Sequence, residues 1–325
     1  MIEVEHLSKI YGATSAIEDV TFSVQAGEIL GFLGPNGAGK TTTMRILSGY
    51  LPATNGTAKV AGFEVHENLM AVRQRIGYLP ETPPLYPDMT VQGFLNFVAQ
   101  IKGVSAGDRS SRIQSALEKT GLVDRRKTII RKLSKGYRQR VGIAQAIVHD
   151  PPVIILDEPT VGLDPRQIIE VRNLIKQLAN DHTVILSTHI LPEVSMTCDR
   201  VTIINQGRVV ATNTPDGLMA QLMGGSGYEL EVEGNWSAIA QVLEGVPNVS
   251  AIEPISVSNN RHRIRVVSAS GAEPGRDIAT VLIRNNLGLH EMRRVQASLE
   301  DVFLKLTTEE KPANETEESN EDSSV

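Results

Sequence analysis

The segment that most restricts the fold of this chain is a run of eight residues near the N-terminus: Gly34, Pro35, Asn36, Gly37, Ala38, Gly39, Lys40 and Thr41. The run fits the pattern G-x-x-x-x-G-K-[S/T]. It lies between a strand pattern at residues 28–33 and a helical pattern that begins near Thr41, which is the setting of a phosphate-binding loop. Glycines let successive N–H groups converge on a phosphate, and the helix N-terminus adds positive partial charge. The alternative is a glycine-rich turn with an exposed lysine.

Two side chains of this loop have expected roles at a nucleotide. Lys40 would reach the β- and γ-phosphates, and the Thr41 hydroxyl would bind Mg²⁺. Thr42, the next residue of the helical pattern, completes the candidate nucleotide-binding residues of this segment. This part of the chain therefore predicts a site for a nucleotide's phosphates and Mg²⁺.

A second motif is an apolar strand pattern at residues 153–156 that ends in Asp157 and Glu158. Ligands of open parallel sheets lie beyond the carboxyl ends of the strands. We expect Asp157 to hold Mg²⁺, through water, and Glu158 to polarise the water that attacks the γ-phosphate. Two acids at a strand end could also be solvated or could cap residues 159–160, but the phosphate loop favours the catalytic interpretation.

The composition excludes several classes of protein. Of the 325 residues, 41% are hydrophobic, and a single cysteine, Cys198, permits no internal disulfide. Residues 307–325 hold seven carboxylates and one lysine, which account for the whole formal net charge of −6. A neutral body with 4% aromatic residues lacks the basic surface expected of a nucleic-acid binder. No apolar run approaches the roughly 20 residues that span a bilayer, and residues 1–12 do not resemble a signal peptide.

Strand and helix patterns alternate along the first two thirds of the chain. Apolar segments at residues 27–33, 153–156, 183–187 and 200–205 predict a buried parallel sheet of an α/β protein. Patterns at residues 2–7 and 20–24 predict an antiparallel edge attached to that sheet. Residues 90–150 show no strand pattern but helical ones at 91–102, 110–121 and 135–148, which predict a helical insert.

A different pattern follows Pro215. Residues 228–232, 249–256, 262–267 and 289–295 predict strands, whereas residues 237–243 and 276–286 predict helices. This βαββαβ order is typical of a small ferredoxin-like α+β domain, and residues 299–306 predict one more amphipathic helix. We therefore expect a first domain at residues 1–217 with its helical subdomain at about 90–150, an accessory domain at 218–306, and a disordered acidic tail at 307–325.

A third motif leads to a family resemblance. Residues 133–140, with the sequence LSKGYRQR, open a helix that runs into the acidic strand. At this place the chain resembles the ATP-binding cassette (ABC) family, whose signature is Leu-Ser-Gly-Gly-Gln. Four more matches occur in cassette order along residues 1–217. Tyr11 matches the aromatic residue that stacks on adenine, and Glu81 matches the Q-loop glutamine. Residues 162–164 match the loop after the acidic strand, and His189 matches the switch histidine.

The resemblance implies a P-loop NTPase cassette and specific roles. His189 would contact the γ-phosphate and hold the attacking water with Glu158. Ser134 and Gly136 would close over ATP that a second cassette chain holds, so two copies would meet head to tail around two Mg²⁺-ATP. From the residues alone, Ser134 is also a good helix N-cap and, with the Gly136 N–H, offers donors suited to an anion.

Two departures from the family pattern matter. Lys135 and Tyr137 replace a glycine and a glutamine of the common signature, and Glu81 replaces the Q-loop glutamine. Glu81, with residues 84–86 and 298–304, is similar to the exporter branch that includes gliding-motility, sodium-efflux, copper-enzyme-maturation and drug-resistance ATPases. The resemblance then implies an ATPase that works a separately encoded permease from the cytoplasmic face of the cell membrane. Glu81 becomes a candidate third metal ligand beside Thr41 and Asp157.

Other functions were weighed against this one. A soluble cassette that remodels ribosomes or DNA would resemble a tandem repeat or carry long coiled coils, and this chain has one cassette and no long heptads. A cassette that binds ATP without hydrolysing it would not need Lys40, Asp157, Glu158 and His189 together. The catalytic residues expected are Glu158, His189 and Lys40.

Overall fold

The computed structural model describes residues 1–223, 227–258, 260–269, 272–295 and 303. The strands are β1 (Ile2–Tyr11), β2 (Thr14–Val24), β3 (Ile29–Leu33), β4 (Asn55–Val60), β5 (Phe63–Glu64), β6 (Ile76–Leu79), β7 (Val153–Asp157), β8 (Thr183–Thr188), β9 (Arg200–Asn205), β10 (Arg208–Asn213), β11 (Gly227–Glu233), β12 (Val249–Ser258), β13 (Arg261–Ser268) and β14 (Gly288–Val295). The helices are α1 (Lys40–Leu47), α2 (Leu69–Arg75), α3 (Val91–Ile101), α4 (Arg109–Lys119), α5 (Lys135–Ile147), α6 (Pro165–Leu178), α7 (Leu191–Thr197), α8 (Pro215–Met223), α9 (Trp236–Glu244) and α10 (Gly275–Arg284).

The central sheet has the strand order β10-β9-β3-β8-β7-β6. Strands β9, β3, β8, β7 and β6 are parallel, and β10 runs antiparallel to β9 at one edge. Every residue of β3, β7 and β8 is buried, which explains why these strands read as continuous apolar runs. The parallel sheet that the sequence predicts is confirmed, and the carboxyl ends of β3, β8 and β7 lie side by side.

The first two strands do not extend this sheet, so that expectation was wrong. β1 pairs on one side with β2 and on the other with β4, which gives a separate sheet of order β2-β1-β4-β5. Its buried side chains, such as Ile2 and Val4, share an apolar cluster with Leu30 and Phe32 of β3. The second sheet thus packs on a face of the central sheet instead of bonding to its edge, and the antiparallel edge strand is β10.

The helical insert covers the opposite face of the central sheet. Phe94 and Leu95 of α3 belong to the same apolar cluster as Leu156 of β7 and Leu186 of β8. Two of its helices begin at a capping side chain, because Thr90 accepts a hydrogen bond from Gly93 N and Ser134 accepts one from Tyr137 N. The predicted helices at 91–102, 110–121 and 135–148 are confirmed as α3, α4 and α5.

The C-terminal part forms a third sheet of order β12-β13-β11-β14, with every pair antiparallel. Helices α9 and α10 supply Ile239 and Ile278 to an apolar cluster separate from those of the other two sheets. The order βαββαβ is the one predicted. The predicted boundary after residue 217 falls inside α8, whose Leu218 is buried against the cluster of the central sheet, and the domain limits stay a prediction. The predicted helix at 299–306, apart from Phe303, and the acidic tail lie outside the described residues.

Candidate functional site

The loop between β3 and α1 runs so close to its neighbours that two glycines have no room for a Cβ atom. A Cβ on Gly34 would lie 2.4 Å from the carbonyl oxygen of Ile204, and one on Gly39 would lie 2.5 Å from Cγ2 of Ile17. Gly39 also has a φ of +104°, a backbone conformation that residues other than glycine rarely adopt. Packing against β2 and β9 therefore requires glycine at these positions and holds the loop at the carboxyl end of β3.

Lys40 is the first residue of α1 and curls back over the loop. Its Nζ donates hydrogen bonds to the carbonyl oxygens of Gly34, at 2.8 Å, and Pro35, at 3.2 Å. The same Nζ lies 3.5 Å from Oε1 of Glu158, and both side chains are buried. The lysine of the loop and the second acid after β7 are thus an ion pair at the carboxyl edge of the sheet.

Glu158 is held between this lysine and His189. Its backbone amide donates to the carbonyl oxygen of Ser187 at 3.0 Å, which joins the loop after β7 to β8. His189 Nδ1 lies 3.0 Å from each carboxyl oxygen of Glu158. Glu158 has a φ of +50°, a left-handed conformation that costs a non-glycine residue on the order of 1–3 kcal/mol and is common at functional sites.

Asp157, the last residue of β7, is completely buried. The Ser187 hydroxyl of β8 donates to its Oδ1, while Oδ2 has no hydrogen-bond partner among the described residues. Burial raises the pKa of the Asp157 carboxyl; the Ser187 and Thr41 hydroxyls lower it, and the charges of Glu158 and Glu81 raise it further. A buried carboxyl with a free oxygen beside a threonine hydroxyl suits a hard cation such as Mg²⁺, which is bound through one or two protein groups, water and phosphate oxygens.

These groups border one cavity of about 530 Å³. Its lining includes these residues predicted for the site: Asn36, Gly37, Gly39, Lys40, Thr41, Thr42, Glu81, Glu158 and His189. Gly34, Pro35 and Ala38 belong to the same loop, and Asp157 is buried behind it. The structure therefore brings the phosphate loop, the acidic strand end and His189 together around a space that can hold a nucleotide's phosphates.

Glu81 follows β6 and is exposed at the rim of this cavity. Its charge is the smallest of the effects that raise the pKa of the Asp157 carboxyl. Among the described residues, however, no group of three His, Cys, Asp or Glu side chains is arranged to hold a metal ion. A contact between Glu81 and Mg²⁺ therefore remains a prediction.

Tyr11 lies apart from these residues, at the end of β1. Its ring is 47% exposed and does not line the cavity. The Lys9 ammonium lies 5.4 Å from the ring centroid, so one face of the ring already has a cationic neighbour. Stacking of adenine on Tyr11 stays a prediction.

Ser134 and Gly136 also lie away from the cavity, at the start of α5. Gly136 packs against α6, since a Cβ there would lie 2.6 Å from Cδ of Gln167. The Lys135 side chain passes over Gly162, where a Cβ would lie 1.9 Å from its Nζ. Close packing thus explains why Gly136 and Gly162 are glycines. The same contacts join the start of α5 to α6 and to the loop before it. An anion role for Ser134 and Gly136 would need a ligand held by another chain.

Two residues near the site were not predicted. Ser187 was included in a strand pattern, but its contact with Asp157 depends on the register of β7 and β8. Glu193 of α7 is 4% exposed and accepts a hydrogen bond from Thr188, the residue before His189. The signal for Glu193 was a lone acid between the apolar residues Leu191 and Val194, one turn after the histidine.

Comparison with known proteins gives a family and a fold. The model of the family described as "ABC transporter" matches residues 17–161. The linearmycin resistance ATP-binding protein LnrL of Bacillus subtilis (strain 168) is 32% identical over 308 residues, which cover 94% of this chain and 98% of the relative. Nod factor export ATP-binding protein I of Paraburkholderia xenovorans (strain LB400) is 34% identical over 311 residues, which cover 95% and 97%.

The fold is similar to that of a solved cassette dimer. The dimeric structure of MJ0796, a bacterial ABC transporter cassette, aligns with a TM-score of 0.61 at 25% identity. The alignment covers 66% of this chain and 98% of that chain. The likeness extends over a length similar to that of the first domain predicted from the sequence.

Proposed function

Because this chain belongs to the ABC transporter family, as an ATP-binding and ATP-hydrolysing subunit, we propose that two copies close head to tail around two Mg²⁺-ATP and drive a separately encoded permease. Relatives that match almost end to end are named for resistance and for export, which supports export as the direction. The described residues contain no helix with the length and apolarity to cross a bilayer. In this proposal the permease holds the chain at the inner, cytoplasmic face of the cell membrane.

The observation that carries the proposal is the contact of Glu158 with both Lys40 and His189. In phosphate loops the lysine binds the β- and γ-phosphates, so a bound nucleotide would draw Lys40 away from Glu158. The released carboxylate can then accept a proton from the attacking water, and His189, 3.0 Å away, can hold that water against the γ-phosphate. Until a triphosphate binds, the ion pair with Lys40 keeps the Glu158 carboxylate from accepting a proton from water.

Mg²⁺ would be held by the Thr41 hydroxyl and Asp157, with Glu81 as a candidate third group. When bound, the ion neutralises charge that develops on the phosphates. Asp157 is suited to this role because its Oδ2 is buried without a partner. The hydroxyls of Ser187 and Thr41 favour its charged form.

The other binding roles follow from position. Tyr11 would stack on adenine at the open side of the cavity, because an aromatic face supplies affinity for any base. Ser134 and the Gly136 N–H would bind the phosphates of the second copy's ATP, since they lie outside the cavity of their own chain. Helix α5 begins at Ser134, so its N-terminal partial charge would favour that anion.

The proposed roles are tested with Glu158→Gln. We expect this variant to bind ATP and to accumulate an ATP-dependent dimer. Its rate of hydrolysis should fall by at least about 100-fold, because a general base contributes about 10²–10⁴ in rate. Turnover would be measured by phosphate release and mass by light scattering. The matched control is Glu170→Gln, a carboxylate on α6 that pairs with Arg140 outside the cavity. Hydrolysis by Glu158→Gln within tenfold of the wild type would remove Glu158 from the role of base.

The partner is tested in the membrane. A tagged chain isolated from detergent-solubilised membranes should retain a polytopic protein, and ATP hydrolysis should rise when that protein is present in vesicles. The absence of any membrane protein from such isolates, in a preparation that hydrolyses ATP, would argue against the permease proposal.

A further inference from the structure

Glu193 is a buried carboxyl to which the proposed mechanism gives no role. It lies on α7, one turn after His189, and is 4% exposed. Burial raises the pKa of its carboxyl. In the described part of the chain no lysine or arginine forms an ion pair with it, whereas other buried acids such as Glu28 have one. A buried carboxyl without a cation is unfavourable, so its contacts need an explanation.

One oxygen of Glu193 fastens the segment that carries His189. The Thr188 hydroxyl donates to Oε2 of Glu193 at 3.1 Å. The same hydroxyl oxygen accepts a hydrogen bond from the backbone amide of Ile190 at 3.0 Å. The residues on both sides of His189 are thus linked to Glu193 through one hydroxyl group.

The Glu193 carboxyl is also close to the loop that carries the proposed base. The Thr160 hydroxyl, two residues after Glu158, is close enough to the Glu193 carboxyl to lower its pKa. Thr160 Oγ1 and Glu193 Oε1 are both buried, and neither has a hydrogen-bond partner within the part of the chain that the structure describes. Unpaired buried polar atoms are costly, so a small approach of the two loops that pairs these atoms would be favourable.

We propose that Glu193 is a positioning residue that ties the loop after β7, with Glu158, to the loop after β8, with His189. Through Thr188 it holds His189 at 3.0 Å from the Glu158 carboxyl, and its Oε1 can accept a hydrogen bond from the Thr160 hydroxyl when the two loops approach each other. This inference deepens the proposed function and rests on the roles given there to Glu158 and His189.

The first test compares Glu193→Ala with Val194→Ala. Val194 is the next residue of α7, is fully buried and packs against Gly31 of β3, so its truncation loosens the contact of the helix with the sheet. We expect Glu193→Ala to lower kcat for ATP about 10–100-fold with KM changed less than about twofold, because misplacement by about 1 Å costs on the order of 100-fold. Val194→Ala should keep kcat within about threefold. Equal losses of kcat at equal losses of Tm would overturn the proposal.

The second test uses variants that disturb packing less. Thr188→Val removes the linking hydroxyl and should lower kcat in the same way, and adding it to Glu193→Ala should cost less than about twofold more, because both remove one link. Glu193→Gln keeps an oxygen that can accept from Thr188, and its kcat should stay within about threefold of the wild type. Additive losses, or a loss in Glu193→Gln as large as in Glu193→Ala, would overturn the proposal.

A third measurement does not depend on turnover. Hydrogen exchange at the Ile190 amide should speed up in both variants, because Thr188→Val removes the acceptor of that amide and Glu193→Ala leaves the acceptor without the carboxylate that holds it. Unchanged protection in both variants would overturn the role of Glu193. A wild-type chain that hydrolyses no ATP would count against the proposed function instead, so the two failures are distinguishable.

Discussion

At the scale of single residues, Asp157 is expected to lower the stability of the folded chain while it provides a ligand for a cation. Its carboxyl is buried in β7, and burial is the main reason that its pKa is raised in the folded chain. The charged form is then less favourable in the folded state than in the unfolded state at neutral pH. A cation next to the carboxyl would reverse that preference.

Asp157→Asn is therefore expected to stabilise the chain without ligands. Because the folded pKa is raised, the stability that the neutral acid provides is present at low pH and is lost as pH rises through the folded value. The Asn variant should have a Tm a few degrees above the wild type at pH 8, since about 1 kcal/mol moves Tm by roughly 2–4 °C in a domain of this size. The difference should shrink toward pH 5 in thermal denaturation followed by circular dichroism.

The same variant should lose its response to metal. Mg²⁺-ATP stabilises whatever state it binds, so the wild type should gain more in Tm from Mg²⁺-ATP than Asp157→Asn does. Asp181→Asn is the control, because Asp181 is exposed and pairs with Lys119 at the surface. A lower Tm for Asp157→Asn at pH 8, or an undiminished gain with Mg²⁺-ATP, would contradict the assignment.

At the scale of elements, the sequence predicted the strands that end at the phosphate loop, at Asp157 and before His189, and it missed the short strand β6 that precedes Glu81. β7 and β8 are buried on both faces and read as apolar runs. β6 has only four residues, one of them Gly77, which is too short for a periodic signal. The second partner of β1, strand β4, was not predicted, because alternation shows which side of a strand is buried but not which strand lies beside it.

Among the residues of the site, those in local motifs were predicted and those that depend on tertiary contacts were not. The phosphate loop and the residues Asp157 and Glu158 were predictable because motifs at strand ends meet at one edge of a parallel sheet. The contact of Ser187 with Asp157 depends on strand register, and the burial of Glu193 depends on how α7 packs. Local spacing shows Glu193 only as a lone acid among apolar residues. It shows neither that contact nor that burial, since both arise from contacts between distant segments.

The loop after β6 provides a prediction at this scale. Glu81 borders the nucleotide cavity and also a second cavity of about 500 Å³ lined by Leu85 and Arg138. Near Asp157 its charge is unfavourable without a cation and favourable with one. We expect Mg²⁺, added to ATP, to increase protection of residues 78–86 in hydrogen exchange, and Glu81→Gln to weaken this increase while ATP binding is kept.

Glu118→Gln is a suitable control for that experiment, because Glu118 lies on α4 and contacts Gln114 on the same helix. An Mg²⁺-dependent change of equal size in Glu81→Gln and the wild type would show that the Glu81 charge does not move the loop.

At the scale of the whole molecule, one chain does not bring all the predicted nucleotide-binding residues to one place. The cavity holds the phosphate loop, Glu158 and His189, whereas Ser134 and Gly136 lie at the start of α5 against α6. Lys135 and Arg138 add positive charge beside Ser134, which suits phosphates. A second copy turned head to tail would place that surface over the cavity, as a two-fold axis repeats each contact in the other copy.

Mixing two inactive variants tests this arrangement. Ser134→Arg should block the surface that closes over the partner's ATP, and Lys40→Ala should disable the phosphate loop of its own chain. In a mixed dimer one site then carries both defects and the other carries neither. With equal amounts and free exchange about one site in four is intact, so the mixture should recover roughly a quarter of wild-type hydrolysis if the sites act independently.

Each variant alone should stay near background, and the folded state of Ser134→Arg must be checked because loss of an N-cap costs about 1 kcal/mol. If Ser134 acted only as the cap of α5, its defect would stay within its own chain, and the mixture would show no more phosphate release than either variant by itself.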